Sequence, residues 1–111
     1  MAILNFQRRF AADVASGRKR STIRRLGKHL ITPGETLHLY TGLRTKSAKR
    51  LLPPVVCTSA EGLIIGAERQ LHPQQDREAL AVADGFRNYT EMADYIEKTY
   101  GLPFYGQLIK W

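Results

Sequence analysis

The spacing of apolar residues changes along the chain. Phe6, Phe10 and Val14 recur every fourth residue with Ala11 beside them, while Arg8, Arg9 and Asp13 fall elsewhere on the helical wheel. This spacing predicts an amphipathic helix of about three turns, opened by Asn5 as N-cap and stopped by Gly17. Its phenylalanine stripe is expected to face the core. From Ser21 to Leu26 the period shortens to two. Ser21, Ile23 and Arg25 share one parity, and Thr22, Arg24 and Leu26 the other, so Thr22 and Arg24 lie on one side of a strand. Pro33-Gly34-Glu35 reads as a turn. It leads into a second strand, 36–41, with Leu37, Leu39 and Thr41 on one face and His38 and Tyr40 on the other.

Beyond Pro53-Pro54, Val55-Val56-Cys57-Thr58 reads as a strand, Glu61-Gly62 as a turn and Leu63-Ile64-Ile65 as the returning strand of a hairpin. Residues 66–75 carry no clear period. Residues 76–83 have helical composition, and Asp84-Gly85-Phe86 ends that segment. Asn88 opens a capping box with Glu91, Met92, Tyr95, Ile96 and Tyr100 form the next helical stripe, and Gly101 closes it. Residues 104–111 make a terminal strand, with Trp111 packing over its end. The order is helix, strand, strand, hairpin, two helices, strand. No repeat, low-complexity tract or linker divides it, so a single domain is expected over 1–111. The fold class is α+β. An open barrel of about five to six strands with about two to three flanking helices satisfies this order and leaves few exposed edges.

Composition narrows the class. A hydrophobic fraction of 43% and a mean hydropathy of -0.31 are those of a folded soluble chain rather than a disordered one. No apolar run approaches the ~18 residues of a membrane span. The first residues lack a long apolar core and a small-residue cleavage site, so no signal peptide is read there. The single Cys57 has no partner for an internal disulfide and is expected as a small buried hydrophobe, which fits a reducing, cytoplasmic setting.

Charge adds the first functional hint. The formal net charge is +7, divided as +10 over residues 1–50 and −3 over residues 51–111. A basic half of this kind suits a phosphate-bearing partner, against the plainer reading of a solvated, solubilising face. Five of its cations lie in Gly17-Arg18-Lys19-Arg20-Ser21-Thr22-Ile23-Arg24-Arg25, at the junction of the first helix and the first strand. A second basic stretch, with Arg44, Lys46, Lys49 and Arg50, follows Tyr40; it is either a phosphate contact or an ordinary surface loop.

Several chemistries have no support. There is no P-loop around Gly27-Lys28 and no dinucleotide fingerprint, and His29, His38, His72 and Cys57 lack metal-ligand spacing. No metal or other cofactor is expected, and no oligomeric state is assigned. Lys19, Ser21, Thr22 and Arg24 remain. A lysine whose pKa is lowered by desolvation or by neighbouring cations can take the proton of a nearby hydroxyl and make Thr22 a nucleophile, with a carboxylic acid protonating the leaving group. The alternative is that all five cations bind phosphate or water. Lys19, Thr22 and Arg24 are the cleft candidates, whereas Arg18, Arg20 and Arg25 supply field. Tyr40 and Phe86 are either base-stacking surfaces or core. His38 faces solvent or the cleft.

The 17–24 stretch after a Phe-bearing helix resembles the N-terminal signature of ASCH domains, PUA-like small β-barrels associated with RNA. Gly34-Glu35-Thr36-Leu37-His38-Leu39-Tyr40 resembles the family's second block. Asp84-Gly85-Phe86 followed by Glu91-Met92 and Tyr100-Gly101 resembles its C-terminal block. The likeness spans about residues 3–111, loosely in the middle. It implies a barrel with a cleft beside the Gly-x-Lys stretch and a ligand of the RNA, nucleotide or nucleoside class. Some small bacterial members hydrolyse N(4)-acetylcytidine with a Lys, a Thr and a Glu; another is a ribonuclease. By position, Lys19 matches the general base and Thr22 the nucleophile. The family's glutamate has no direct counterpart: Asp84, one methylene shorter, lies in the corresponding region, and Glu78 and Glu91 are nearby in sequence but do not align with it. Arg24 is a ligand or phosphate anchor under either reading, and Arg18, Arg20, Ser21, Tyr40, Arg44, Lys46 and Phe86 complete the expected binding residues. A binding domain without catalysis, an amidohydrolase, and a ribonuclease or protein-interaction domain are the three functions to be weighed.

Overall fold

The computed structural model describes all of residues 1–111. Its elements run β1 (Ala2–Phe6), α1 (Arg8–Ser16), β2 (Ser21–Arg25), β3 (Thr36–Thr41), β4 (Lys49–Arg50), β5 (Val55–Val56), β6 (Ser59–Ile65), β7 (Leu71–His72), α2 (Arg77–Ala83), α3 (Tyr89–Tyr100) and β8 (Phe104–Lys110). The protein is α+β, with eight strands against the five to six expected. Hydrogen bonding divides them into two four-stranded sheets rather than one closed ring. No helix is long and apolar enough to cross a membrane.

The first difference from the sequence reading lies at the N-terminus. Phe6 ends a strand instead of starting the helix. Ala2, Leu4 and Phe6 are buried and Ile3 and Asn5 exposed, a period of two that the Phe6/Phe10/Val14 spacing masked. β1 pairs in parallel with β3, Leu4 opposite Leu39. Asn5 therefore caps no helix. Gln7 holds that position without a side-chain bond, and the Asn5 side-chain Oδ1 accepts from the Leu43 amide at 3.1 Å. Gly17 does end α1, with φ of 83° in the left-handed region that favours glycine.

The second difference is the expected hairpin. β5 pairs with β3, while β6 runs straight through Glu61-Gly62 and pairs with β8 and β7, so Val55-Val56 and Leu63-Ile65 belong to different sheets. Gly62 sits opposite Gln107 within the ladder, where strand pairing overrides its turn propensity. The helices match expectation more closely. Asp76 caps α2 by accepting from the Ala79 amide, and Asn88 caps α3 by accepting from the Glu91 amide at 2.8 Å. Only half of the capping box forms, because Glu91 turns to Arg87, bonding its amide and its Nε.

Two apolar clusters form the core. One packs α2 and α3 on β6 and β8 through Met92, Ile96, Ile65 and Leu108; the other gathers Leu4, Phe6, Val14, Leu37, Leu39, Cys57 and Trp111. Phe10 on α1 packs against both clusters. β1 is the edge of one sheet and β2 the edge of the other. A pocket opens between these two edges, beside Phe10.

Candidate functional site

The site is built where three segments meet. Gly17 reverses the chain after α1, and the Lys19 amide bonds the Asp13 carbonyl at 2.9 Å, so Lys19 stands at the doorstep of β2. β2 then carries Thr22, Ile23 and Arg24 along the pocket floor. From the far end of the chain, α2 ends at Asp84. Gly85 there adopts φ of 99°, and a Cβ on it would stand 2.4 Å from Phe10 Cε1. Only glycine lets this corner approach α1 so closely.

The result is a pocket of about 220 Å³. Its polar floor holds Lys19, Thr22, Arg24 and Asp84, and its walls include Phe6, Phe10, Phe86, Tyr95, Tyr100 and Phe104. Asn5 and Gln7 bring amides to it, and Gln7 Nε2 donates to the Tyr95 hydroxyl at 2.6 Å. Lys19 is 4% exposed, Thr22 5% and Asp84 9%. Lys19 Nζ donates to Asp84 Oδ1 at 2.8 Å and to the Asp84 carbonyl at 2.8 Å. That carbonyl belongs to the C-terminal end of α2, where a cation complements the helix dipole. Arg24 Nε donates to Thr22 Oγ1 at 3.2 Å. No carboxylate stands within salt-bridge distance of Arg24.

Burial governs the electrostatics. Desolvation lowers the Lys19 pKa from its usual value, with Asp84 pulling the other way and Arg24 adding to the fall. Desolvation raises the Asp84 carboxyl, opposed by the Lys19 and Arg24 charges and the Ile23 amide. Both partners are thus displaced toward their neutral forms. Burial also lowers Arg24, which stacks its guanidinium carbon 4.7 Å from the Phe6 ring centre. Lys19 Nζ lies 5.2 Å from the Phe10 ring centre.

The remaining sequence candidates divide. Phe86 lines the pocket, wedged between Phe10 and Tyr95 at centroid distances of 6.0 Å and 5.6 Å. Ser21 is buried but does not line it. Arg18 pairs with Asp13 on the surface, and Arg20 Nε donates to the Trp111 carbonyl. Tyr40, Arg44 and Lys46 are also outside the pocket. Tyr40 accepts from Arg50 at 2.6 Å, and His38 meets the same guanidinium at 3.2 Å. Arg44 and Lys46 are exposed in the loop after β3.

Sequence reasoning missed Asn5, Gln7, Tyr95, Tyr100 and Phe104 as pocket residues. A stripe at helical spacing reads as core, and for Tyr95 and Tyr100 the only signal was a pair of hydroxyl-bearing rings within it. No three His, Cys, Asp or Glu side chains gather as a metal centre requires. No protein-family model matches the chain, and neither a curated protein nor a solved structure matches it.

Proposed function

We propose that this pocket is the active site of a small amidohydrolase that removes an acyl group from the exocyclic nitrogen of a cytidine-class nucleoside, the activity that the ASCH resemblance implies. The observation that carries this reading is the Lys19–Asp84 pair, buried at 2.8 Å on the floor that also holds Thr22. A surface built only to hold phosphate needs exposed, permanently charged cations. Here the lysine is withdrawn from water and its pKa is lowered. The volume is below the about 300–1,000 Å³ of drug-sized ligand pockets, which suits one base with its acyl group. The aromatic walls suit its π-face.

The pair operates with one proton to share. With that proton on Asp84, Lys19 is a neutral amine and takes the Thr22 hydroxyl proton as Oγ1 bonds to the acyl carbon. The Arg24 N–H groups left without protein acceptors face the developing oxyanion. The C–N bond then breaks, and Asp84 gives its proton to the departing ring amine. Water attacks the Thr22 ester, Asp84 takes a proton from that water, and Lys19 returns its proton to Thr22 Oγ1. Free carboxylic acid leaves, and the pair is back in its starting state. The aspartate is shorter than the family's glutamate, but its place at the end of α2 brings it to Lys19 directly.

Binding of an RNA or nucleoside ligand without hydrolysis is the second reading. It is favoured by the +10 charge of residues 1–50 and by the absence of carboxylate partners on Arg24 and Arg25. One experiment separates the two. Protein incubated with N(4)-acetylcytidine should release cytidine and acetate, and Lys19→Ala and Thr22→Ala should not. Saturable binding with no cytidine after hours at high protein concentration removes the hydrolase and keeps the binding domain. No binding at all removes the hydrolase and the nucleoside form of the second reading.

A further inference from the structure

We infer that the pocket receives one unit of a single-stranded oligonucleotide, and that Arg25, Tyr100 and Tyr105 form a second subsite for the adjoining nucleotide. This rests on the pocket being a base site, as proposed above, and extends it from a free nucleoside to a strand.

A second concavity of about 250 Å³ opens beside the first. Tyr100 and Phe104 wall both, so the two lie side by side across a shared aromatic partition. Arg25, Leu26 and Tyr105 complete the far side. Its rings are not sequestered as core residues would be. Tyr100 is 44% exposed and Tyr105 52%, at the end of α3 and on β8. Exposed tyrosines beside a cavity are stacking platforms whose π-faces accept any base.

The charge on this shelf is also unspent. Arg25 sets its guanidinium carbon 5.1 Å from the Tyr100 ring centre, and no carboxylate lies within salt-bridge distance. Arg24 and Arg25 are consecutive on edge strand β2. Arg24 borders the first pocket and Arg25 the second, and both border a third groove that runs along β1 past Gly27 and His29. Two neighbouring guanidinium groups, each facing a different cavity, match a backbone that places one phosphate between successive bases. A free nucleoside has nothing to offer Arg25, whereas a phosphodiester does. The strand must be single, because a base paired in a duplex is not available to enter a pocket.

The test compares ligands of increasing length on the intact protein. Binding is measured for N(4)-acetylcytidine, for an RNA trinucleotide with that base at its centre, and for the DNA trinucleotide of the same sequence. The trinucleotide should bind about tenfold or more tightly than the nucleoside, with the advantage fading as salt rises. Arg25→Gln and Tyr105→Ala should each erase most of that advantage and leave nucleoside binding unchanged. The unchanged nucleoside affinity also shows that each variant is folded. A preference of RNA over DNA assigns the strand to RNA, and equal affinities assign it to single strands of either sugar. A trinucleotide that binds no more tightly than the nucleoside overturns this inference while sparing the pocket. So does an advantage that survives both substitutions. Failure of every ligand to bind removes the base site itself.

Discussion

Lys19 Nζ stands 2.8 Å from Asp84 Oδ1 and 2.8 Å from the Asp84 carbonyl oxygen, tying the start of β2 to the end of α2 across 65 positions of the chain. The contact closes the floor of the pocket and opposes the desolvation that displaces both groups toward their neutral forms. Its partners are held by different devices, a left-handed glycine turn on one side and a helix terminus on the other.

Breaking this pair from one side should be costly. Lys19→Met or Asp84→Leu leaves a buried charge or polar group without its partner, and each is expected to lower unfolding stability by about 3–5 kcal/mol. The double substitution Lys19→Met/Asp84→Leu should recover most of that loss, because no uncompensated charge remains. It should recover none of the hydrolysis. Urea titrations of the four proteins close the cycle, and strict additivity of the two losses would mean that the pair is not coupled.

In the proposed mechanism the same pair sets the pH dependence of hydrolysis. The competent form holds one proton between the two groups. A second proton, gained as pH falls, blocks the lysine, and loss of the only one, as pH rises, removes the acid. Asp84 is raised by burial, so the acid limb should lie above the usual carboxylate range. Lys19 is lowered by burial, so the alkaline limb should lie below the usual lysine range. A profile of kcat/KM against pH should be a bell narrower than unperturbed groups would give. A flat profile from pH 4 to 10 would remove the pair from the chemistry.

Gly85→Ala tests the corner that brings Asp84 in. The left-handed conformation alone should cost about 1–2 kcal/mol for a residue with a Cβ. The new methyl also meets Phe10 Cε1 at 2.4 Å, which forces that ring into the pocket or the corner outward. Ligand affinity should therefore fall together with the thermal midpoint. Unchanged affinity in a destabilised protein would show that the corner moves without the pocket.

A separate acid-sensitive element lies at the N-terminus. Glu35 Oε2 accepts from His29 at 2.6 Å and from the Met1 amino group at 3.1 Å, and Glu35 Oε1 from the Thr32 amide. These bonds, that of His29 foremost, hold the Glu35 carboxyl down to about 2 from an ordinary 4.5. A depressed folded pKa gives stability that is whole above 4.5 and is lost as pH falls toward 2. Thermal midpoints should drop over that window in the wild type and drop less in Glu35→Gln. Parallel curves for the two proteins would assign the acid sensitivity elsewhere.

Much of the fold was legible from local rules. Gly17, Asn88 and Gly101 act where capping chemistry puts them, because a cap depends on groups within a few residues. The buried alternation of Leu37 and Leu39 likewise follows from β geometry alone. Two misreadings share one cause. Phe6 satisfies both a helical and a strand period, and Gly62 is a good turn residue that β8 holds inside a ladder. Which pattern wins in each case depends on a partner strand 30 or more positions away.

By itself the sequence determined the α+β class, most helix ends, the basic N-terminal half, and the side of β2 that Thr22 and Arg24 share. These follow from periodicity, caps and charge, which act over short range. Tertiary structure decided what the cations do. Arg18 goes to Asp13 and Arg20 to the terminal carbonyl, while Arg24 and Arg25 remain without carboxylate partners beside two aromatic-walled cavities. It also decided that Asp84, and not Glu78 or Glu91, meets Lys19. Glu78 bonds the Tyr89 amide and Glu91 pairs with Arg87, so α2 ends with Asp84 as the one of these three acids in the pocket. No local pattern encodes that choice, because it depends on where α2 stops relative to a turn 65 residues earlier in the chain.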